Sequence, residues 1–125
     1  MRRRHVLVIA GILVAGAACA ASAPNEAPRP SRDVIEPAEF EALNLATAAD
    51  VVRQLRPRWL QLRSVGGTTE EPVVYVDNMR RGGLAALSQV PATAVREIRY
   101  FNATDATTRF GTGHRGGAIV VTTRR

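Results

Sequence analysis

The glycine-rich stretch over 111–116 is the first candidate for chemistry in this chain. It reads Gly111-Thr112-Gly113-His114-Arg115-Gly116, which has the G-x-G-x-x-G spacing of dinucleotide-binding sites. In those sites a strand precedes the glycines and a helix follows, so that the helix N-terminus faces the pyrophosphate. Here the residue pattern predicts the reverse order, a helix before and a strand after. We therefore expect these glycines to end a helix and to allow close approach of neighbouring backbone, with no bound cofactor.

Histidine, serine and carboxylate side chains also show no catalytic arrangement. We expect His114 to be an exposed loop residue. We also expect no metal site, because His5 would leave with an N-terminal leader, and the one remaining histidine without a free cysteine does not make the usual zinc set. The serines lie outside any nucleophile elbow, and the carboxylates at 36–41 and 70–71 lack the apolar surroundings that raise a pKa. The alternative is a small periplasmic enzyme or ligand-modifying protein, for which His114 would be paired with an acid.

The basic residues limit the classes of partner. All 17 are arginine, and removal of an N-terminal leader with Arg2, Arg3 and Arg4 leaves 14 basic against 11 acidic residues. An excess this small, with few aromatic residues, does not predict nucleic-acid binding. Two pairs, Arg80-Arg81 and Arg124-Arg125, can contact phosphate, lipopolysaccharide or an acidic partner surface. The simpler interpretation is that they are solvated charges at a turn and a terminus.

The N-terminus has the composition of an export signal. Three arginines, Arg2 to Arg4, precede an apolar run from Val6 to Ala18 that is shorter than the roughly 20 residues of a bilayer-spanning helix. Cys19, the single cysteine, directly follows Ala17-Ala18, where bacterial lipoproteins carry their modified cysteine. The sequence therefore predicts a lipoprotein-like signal peptide over 1–19 with lipidation at Cys19, which would anchor the chain to a membrane. The alternative is ordinary cleavage after Ala20, which would remove Cys19.

Three parts are predicted after the signal. Residues 20–32 hold three prolines and no apolar periodicity, which is typical of a flexible tether, and 33–125 is long enough for one small domain. Within that domain a helix is predicted after Thr47, which with Asp50 has the spacing of a capping box, and Pro57 should end it. A polar, mobile loop is expected over 65–72, and a turn over 79–83.

Three strands are predicted in the C-terminal half. Their segments are Pro72 to Asn78, Val95 to Phe101, and Gly117 to Thr123, and each is rich in β-branched or aromatic residues. A short helix over 103–110 should connect the second strand to the third. In the second strand Val95 and Phe101 should point to one face and Ile98 to the other, with charged residues on both, so it should lie near a sheet edge. The fold class expected is α+β, with a short mixed sheet and two or three short helices.

The order of these segments resembles the plug domain of TonB-dependent outer-membrane receptors. The matching motifs are Tyr75-Val76-Asp77-Asn78, Val95 to Tyr100, Ala106 to Gly111, and Gly117 to Thr123, and the resemblance extends upstream to Asp33. Asn78 stands where the family usually has glycine, which a tight turn accepts because asparagine also adopts positive φ. The chain ends at Arg125, where a receptor would begin its barrel.

The resemblance implies a stand-alone, plug-like binding module with no enzymatic activity, located at the periplasmic face of the outer membrane or in the periplasm. It implies an envelope protein as partner and no cofactor. We expect the contacts to lie in the loops at 64–72, 78–83 and 111–117, since loops on a rigid sheet commonly carry recognition. The candidate contact residues are Asp77, Asn78, Arg80, Arg81, Gly111, Gly113, His114, Arg115 and Gly116. The turn after Tyr75 and the loop at 111–117 are predicted to form one contact surface.

Overall fold

The computed structural model describes residues 31–125. The predicted signal peptide, Cys19 and most of the tether lie outside the described residues. Within them are three α-helices, α1 (Pro37–Phe40), α2 (Ala48–Leu55) and α3 (Ala103–Phe110), together with short 3-10 turns. There are seven strands: β1 (Val34–Ile35), β2 (Arg63–Val65), β3 (Thr68–Glu70), β4 (Val73–Val76), β5 (Met79–Gly82), β6 (Val95–Phe101) and β7 (Ala118–Thr123).

Five of these strands form one mixed sheet, in the order β1-β6-β7-β4-β5. The central pair β4 and β7 is parallel, and the other neighbours are antiparallel. The predicted α+β class with a short mixed sheet is therefore confirmed, and the three predicted strands are its three inner strands. Strand β6 was predicted to lie near a sheet edge, and it is second from the edge, beside the two-residue strand β1.

Helix α2 forms where its sequence places the start and stop signals. The hydroxyl of Thr47 accepts a hydrogen bond from the backbone N–H of Asp50, and the Asp50 carboxylate accepts from the N–H of Thr47, which confirms the capping box. The Thr47 hydroxyl also donates to the Asp50 carboxylate, and this bond, together with the one from the Thr47 N–H and the nearby Arg53, holds the pKa of Asp50 below its ordinary 3.8. The helix ends at Leu55, two residues before Pro57.

The first face of the sheet is covered by α1, α2 and the 3-10 turns. Alternate residues of β4 and β7 point into this core, together with apolar residues of β1 and β6, and all of them are buried: Ile35, Val74, Val76, Val95, Ile98, Ile119 and Val121. They pack against Val51, Val52 and Leu87, each fully buried. Trp59 is buried and stacks on Tyr100 with 5.6 Å between ring centroids. Burial of an aromatic ring on this scale contributes about 2–3 kcal/mol.

Among residues 31–125, α3 and the loop that follows it are the segments that cover the second face. Its buried residues are Val73, Tyr75, Ala106, Ala118 and Val120, with Phe101 and Phe110 partly buried beside them. The ring of Tyr75 stacks on that of Phe110 at 4.2 Å between centroids. A smaller hydrophobic cluster therefore lies at this end of the second face.

Two segments predicted as loop or turn are β-hairpins. Strands β2 and β3 pair across Gly66-Gly67, with β3 inside the segment 65–72 that was predicted as a mobile loop and β2 at its start, and β5 occupies the predicted turn at 79–83. Both hairpins have two-residue turns with positive φ, at Gly66 and Gly67 and at Asp77 and Asn78. Such turns match the twist of paired strands, and glycine or asparagine adopts them at low cost. The turn residues could be recognised in the sequence. The strands β2, β3 and β5 beside them could not, because they are polar and lack the apolar pattern that indicates a strand.

The predicted alternation along β6 is also wrong at its start. The pairing of β6 with β7 shifts between Val95 and Glu97, which inserts one extra residue into β6. As a result Val95 and Ile98 are both fully buried in the first-face core, although three positions apart they should point in opposite directions. A β-bulge resets the two-residue period, and strict alternation does not anticipate it.

Candidate binding surface

The predicted contact residues divide between the two ends of β4. Asp77 and Asn78 form the turn that follows β4, whereas Gly117, at the end of the glycine-rich loop, accepts a hydrogen bond from the N–H of Val73, the first residue of β4. The structure therefore does not bring the turn after Tyr75 and the loop at 111–117 into one surface. The prediction of a joint contact surface is wrong because β4 and β7 are parallel, so the segment before β7 meets the start of β4.

The turn at Asp77-Asn78 is tied to the end of β7. Both carboxylate oxygens of Asp77 accept hydrogen bonds from Thr123, from its backbone N–H at 2.9 Å and from its hydroxyl at 2.6 Å. These bonds, led by that of the hydroxyl, hold the pKa of Asp77 below its ordinary 3.8, and the charges of Arg125 and Arg81 act in the same direction. Asp77 therefore fixes the turn, and Asn78 is left exposed at its tip.

Strand β5 follows this turn as the outer strand of the sheet. All four of its residues are exposed, including Met79 at 55 %. Arg80 lies opposite Tyr75 on β4 and so belongs to the second face, while the register shifts at the next position. A short strand with two arginines, a register shift and a terminal glycine is poorly suited to pairing with a further strand. Its exposed side chains are therefore better placed for contact than its backbone.

At the other end of β4, His114 is buried and only 2 % exposed, so the prediction of an exposed loop histidine is wrong. Its Nδ1 lies 2.8 Å from the carbonyl oxygen of Gly111, and its Nε2 lies 2.8 Å from the hydroxyl oxygen of Tyr75. A carbonyl only accepts, so Nδ1–H donates to Gly111, and in the neutral ring Nε2 accepts from the Tyr75 O–H. Sequence alone placed His114 in a polar loop, and only the tyrosine on a distant strand shows why it is buried.

The enzyme alternative expected an acid beside His114. The two partners of the ring are instead a tyrosine hydroxyl and a backbone carbonyl. Phe110 and Tyr75 pack around it with ring centroids 5.7 and 5.8 Å from its own. These hydrogen bonds and ring contacts give His114 a structural role, in which it holds the glycine-rich loop against β4.

The glycines of the loop have the structural roles that their context predicted. Helix α3 precedes them and β7 follows, which is the reverse of a dinucleotide site. Gly111 caps α3 by donating its N–H to Thr107 O. Gly117 has a φ of 87°, and a Cβ there would lie 2.6 Å from the carbonyl oxygen of Phe101, so no larger residue fits. At Gly116 a Cβ would overlap the backbone of Glu71. Gly113 and Arg115 are exposed on the loop surface.

The arginines predicted for contact lie mostly at the hairpin end. Arg81 is exposed on β5, and Arg96 and Arg125 line a cavity of about 330 Å³ beside Asp77 and Asn78. Arg96 was missed by the sequence analysis, since it lies in a strand and apart from the two arginine pairs. Arg96 has a distinct position because it is the extra residue in the bulge of β6, and the sequence carries no clear signal for that bulge. Arg115 lies at the opposite end, in the glycine-rich loop.

Within 31–125, no three or more histidine, cysteine, aspartate or glutamate side chains are grouped so that they could hold a metal ion. Over the same range no helix combines the length and the apolar character needed to cross a membrane. Comparison with known proteins gives no further assignment: no family model, no curated protein and no solved structure matches this chain.

Proposed function

We propose that the chain is an exported, non-enzymatic binding module that resembles a receptor plug without its barrel and binds an envelope protein at the outer membrane. The observation that carries the proposal is the arrangement of the motif segments. The three strands that contain the first, second and fourth motifs, β4, β6 and β7, are adjacent at the centre of one sheet, and α3 ends within the third motif, Ala106 to Gly111. A resemblance in order along the chain is thereby supported by adjacency in space.

The binding surface that we propose is the hairpin end of the sheet. Asn78, Arg80 and Arg81 are exposed there on a turn that Asp77 fixes to β7. A rigid base with exposed, adaptable side chains is the usual arrangement for recognition. At the other end of β4, by contrast, His114 is buried and Gly116 and Gly117 are enclosed by backbone. The exposed part of that loop is limited to a few small residues and Arg115.

Export and anchoring are tested by the mass of the mature N-terminus after expression in a Gram-negative host. We expect a diacyl-modified or triacyl-modified Cys19 in the membrane fraction, and a C19S variant that is released from the membrane. A mature chain that starts at Ala21 would show that Cys19 is removed and that the protein is periplasmic without an anchor. A full-length, unprocessed chain in the cytosol would refute export altogether.

Binding is tested by capture from envelope extract with matched variants. We expect one envelope protein to be retained by the wild-type domain and lost with the double variant Arg80→Gln and Arg81→Gln. Arg115→Gln, an exposed arginine at the other end of β4, is the control and should retain the protein. Loss with the control alone would place the surface at the glycine-rich loop. Equal capture by all variants would refute a role for the hairpin end.

A further inference from the structure

Two adjoining cavities lie at the end of the sheet where β4 and β7 finish. One, of about 330 Å³, is lined by Asp77, Asn78, Arg96, Thr122, Thr123 and Arg125. The other, of about 360 Å³, is lined by Pro37, Glu41, Arg96, Arg124 and Arg125. Arg96 and Arg125 line both cavities, so the two adjoin at these side chains, and we call them together the arginine groove.

The carboxylates inside this groove already have partners, whereas two of its arginines do not. Glu41 pairs with Arg124, and Asp77 accepts two hydrogen bonds from Thr123. Neither Arg96 nor Arg125 has a carboxylate oxygen within 4.0 Å among residues 31–125, and both are exposed. The groove therefore presents two guanidinium groups for an anion that the described part of the chain does not supply.

Arg96 projects from a fixed part of the backbone. It occupies the bulge of β6, between Val95 and Glu97, which both pair with β7. Val95 and Ile98, close on either side, are fully buried in the core. A charged side chain on a backbone held in this way keeps its position without a cost in backbone ordering on binding.

We propose that the arginine groove binds an acidic peptide segment of a protein partner, with its carboxylates on Arg96 and Arg125. The inference rests on the proposed binding function and names the chemistry of the partner. Guanidinium groups can bind carboxylates through two parallel hydrogen bonds, and the ion pair of Arg124 with Glu41 shows that a carboxylate is accepted within the groove. Two cavities that share their arginines can hold neighbouring acidic side chains of one extended segment.

The position of the groove favours a protein over the membrane that would hold the N-terminus. The described chain begins near the other end of β6: Ser31 accepts a hydrogen bond from Arg56, and Asp33 accepts one from the N–H of Tyr100. Arg96 lies at the start of β6, at the opposite end of that strand. The groove therefore lies at the end of β6 opposite to the point where the predicted tether enters the domain.

The test uses the mature full-length protein and an end-blocked, fluorescently labelled hexaglutamate peptide, followed by anisotropy at low salt. We expect Arg96→Gln to weaken binding by about tenfold, the loss expected for one charge-assisted contact. Arg63→Gln is the matched control, because Arg63 is exposed on β2, away from the groove, and its replacement changes the net charge equally. Binding to the control should stay within about twofold of the wild type, as for an exposed charge that makes no direct contact.

Each other outcome overturns the inference. If Arg63→Gln weakens binding as much as Arg96→Gln, the peptide responds only to net charge. If inorganic phosphate or phosphatidylglycerol vesicles bind more tightly than the peptide and depend on Arg96, the groove recognises phosphate. If hexaglutamate does not bind to the wild type, the groove does not take acidic peptides. In these cases the proposed module still stands if the hairpin variants lose their envelope protein, so the two failures are distinguishable.

Discussion

The two faces of the central sheet differ in how they are covered and in what they leave exposed. The first face is buried under α1, α2 and the 3-10 turns, and seven of the core residues it collects from the sheet strands are almost completely enclosed. On the second face, the described residues place one helix and one loop over a smaller cluster. Outside that cluster the face carries Arg80, Glu97, Arg99 and Thr122, which are exposed or half-buried.

Because the two faces differ, alternate residues of the same strand have different roles. In β7, Ile119 and Val121 point into the first-face core, while Val120 and Thr122 lie on the second face. One side of a strand thereby stabilises the fold, while the other remains free to vary in charge. An antiparallel or mixed sheet with one fully covered face permits this arrangement, since the side chains alternate.

The largest effect should come from the first face. Replacement of Ile98, which is fully buried, by alanine should lower the free energy of unfolding by about 2–5 kcal/mol, because it removes buried apolar surface and leaves a cavity. The measurement is the urea midpoint followed by circular dichroism. Arg99→Ala, next along β6 and exposed on the second face, is the control and should change stability by less than about 0.5 kcal/mol. Similar losses for both variants would remove the distinction between the faces.

A smaller effect is expected in the second-face cluster that contains Tyr75 and Phe110. Tyr75→Phe keeps the ring stacked on Phe110 but removes the hydroxyl that donates to His114, so it should cost about 1–3 kcal/mol through an unpaired, buried ring nitrogen. The measurement is again the urea midpoint.

Tyr100→Phe makes the same chemical change on the first face and serves as the control. The Tyr100 hydroxyl has no hydrogen-bond partner among residues 31–125, so its loss should be nearly neutral. A neutral Tyr75→Phe variant would mean that His114 does not depend on this bond. In that case the stacked rings alone would hold the glycine-rich loop.

These residues also show which features could be read from the sequence. The capping box of α2, the helix at 103–110 and the three inner strands were all predicted, because each depends on a local pattern of side chains. The hairpins were missed because their strands are polar and exposed. Local turn residues marked them, but no apolar period accompanied those residues.

The features of the candidate surface depend on contacts between distant parts of the chain. His114, in the loop before β7, is buried because it contacts Tyr75 on β4. Asp77, after β4, is hydrogen-bonded to Thr123 at the end of the parallel strand β7. The arginine groove requires the bulge at Arg96 and the end of β7 to meet. A single sequence contains no direct signal for any of these three contacts, since each requires the order and direction of the strands.

The smallest expected effect tests the attachment of the hairpin to β7. Thr123→Val removes the hydroxyl that donates to Asp77 but keeps the shape of the side chain, and should cost about 1 kcal/mol near neutral pH, since the site is partly exposed. Thr122→Val, next to it in β7 and half-buried, is the control. The measurement is the free energy of unfolding in urea at a series of pH values.

The pH dependence gives this last comparison its direction. The pKa of Asp77 is lower in the folded state than its ordinary 3.8, so the folded protein binds this proton less readily than the unfolded chain does. The stabilisation is therefore complete above that value and is lost as the pH falls below it, through the pKa of the folded state. In Thr123→Val the pKa of Asp77 should rise towards 3.8, so the variant should lose less stability than the wild type over this acid range. Parallel curves for wild type, Thr123→Val and Thr122→Val would show that Asp77 does not fix the hairpin, and the exposed side chains at its tip would then lack the rigid base on which recognition at this end depends.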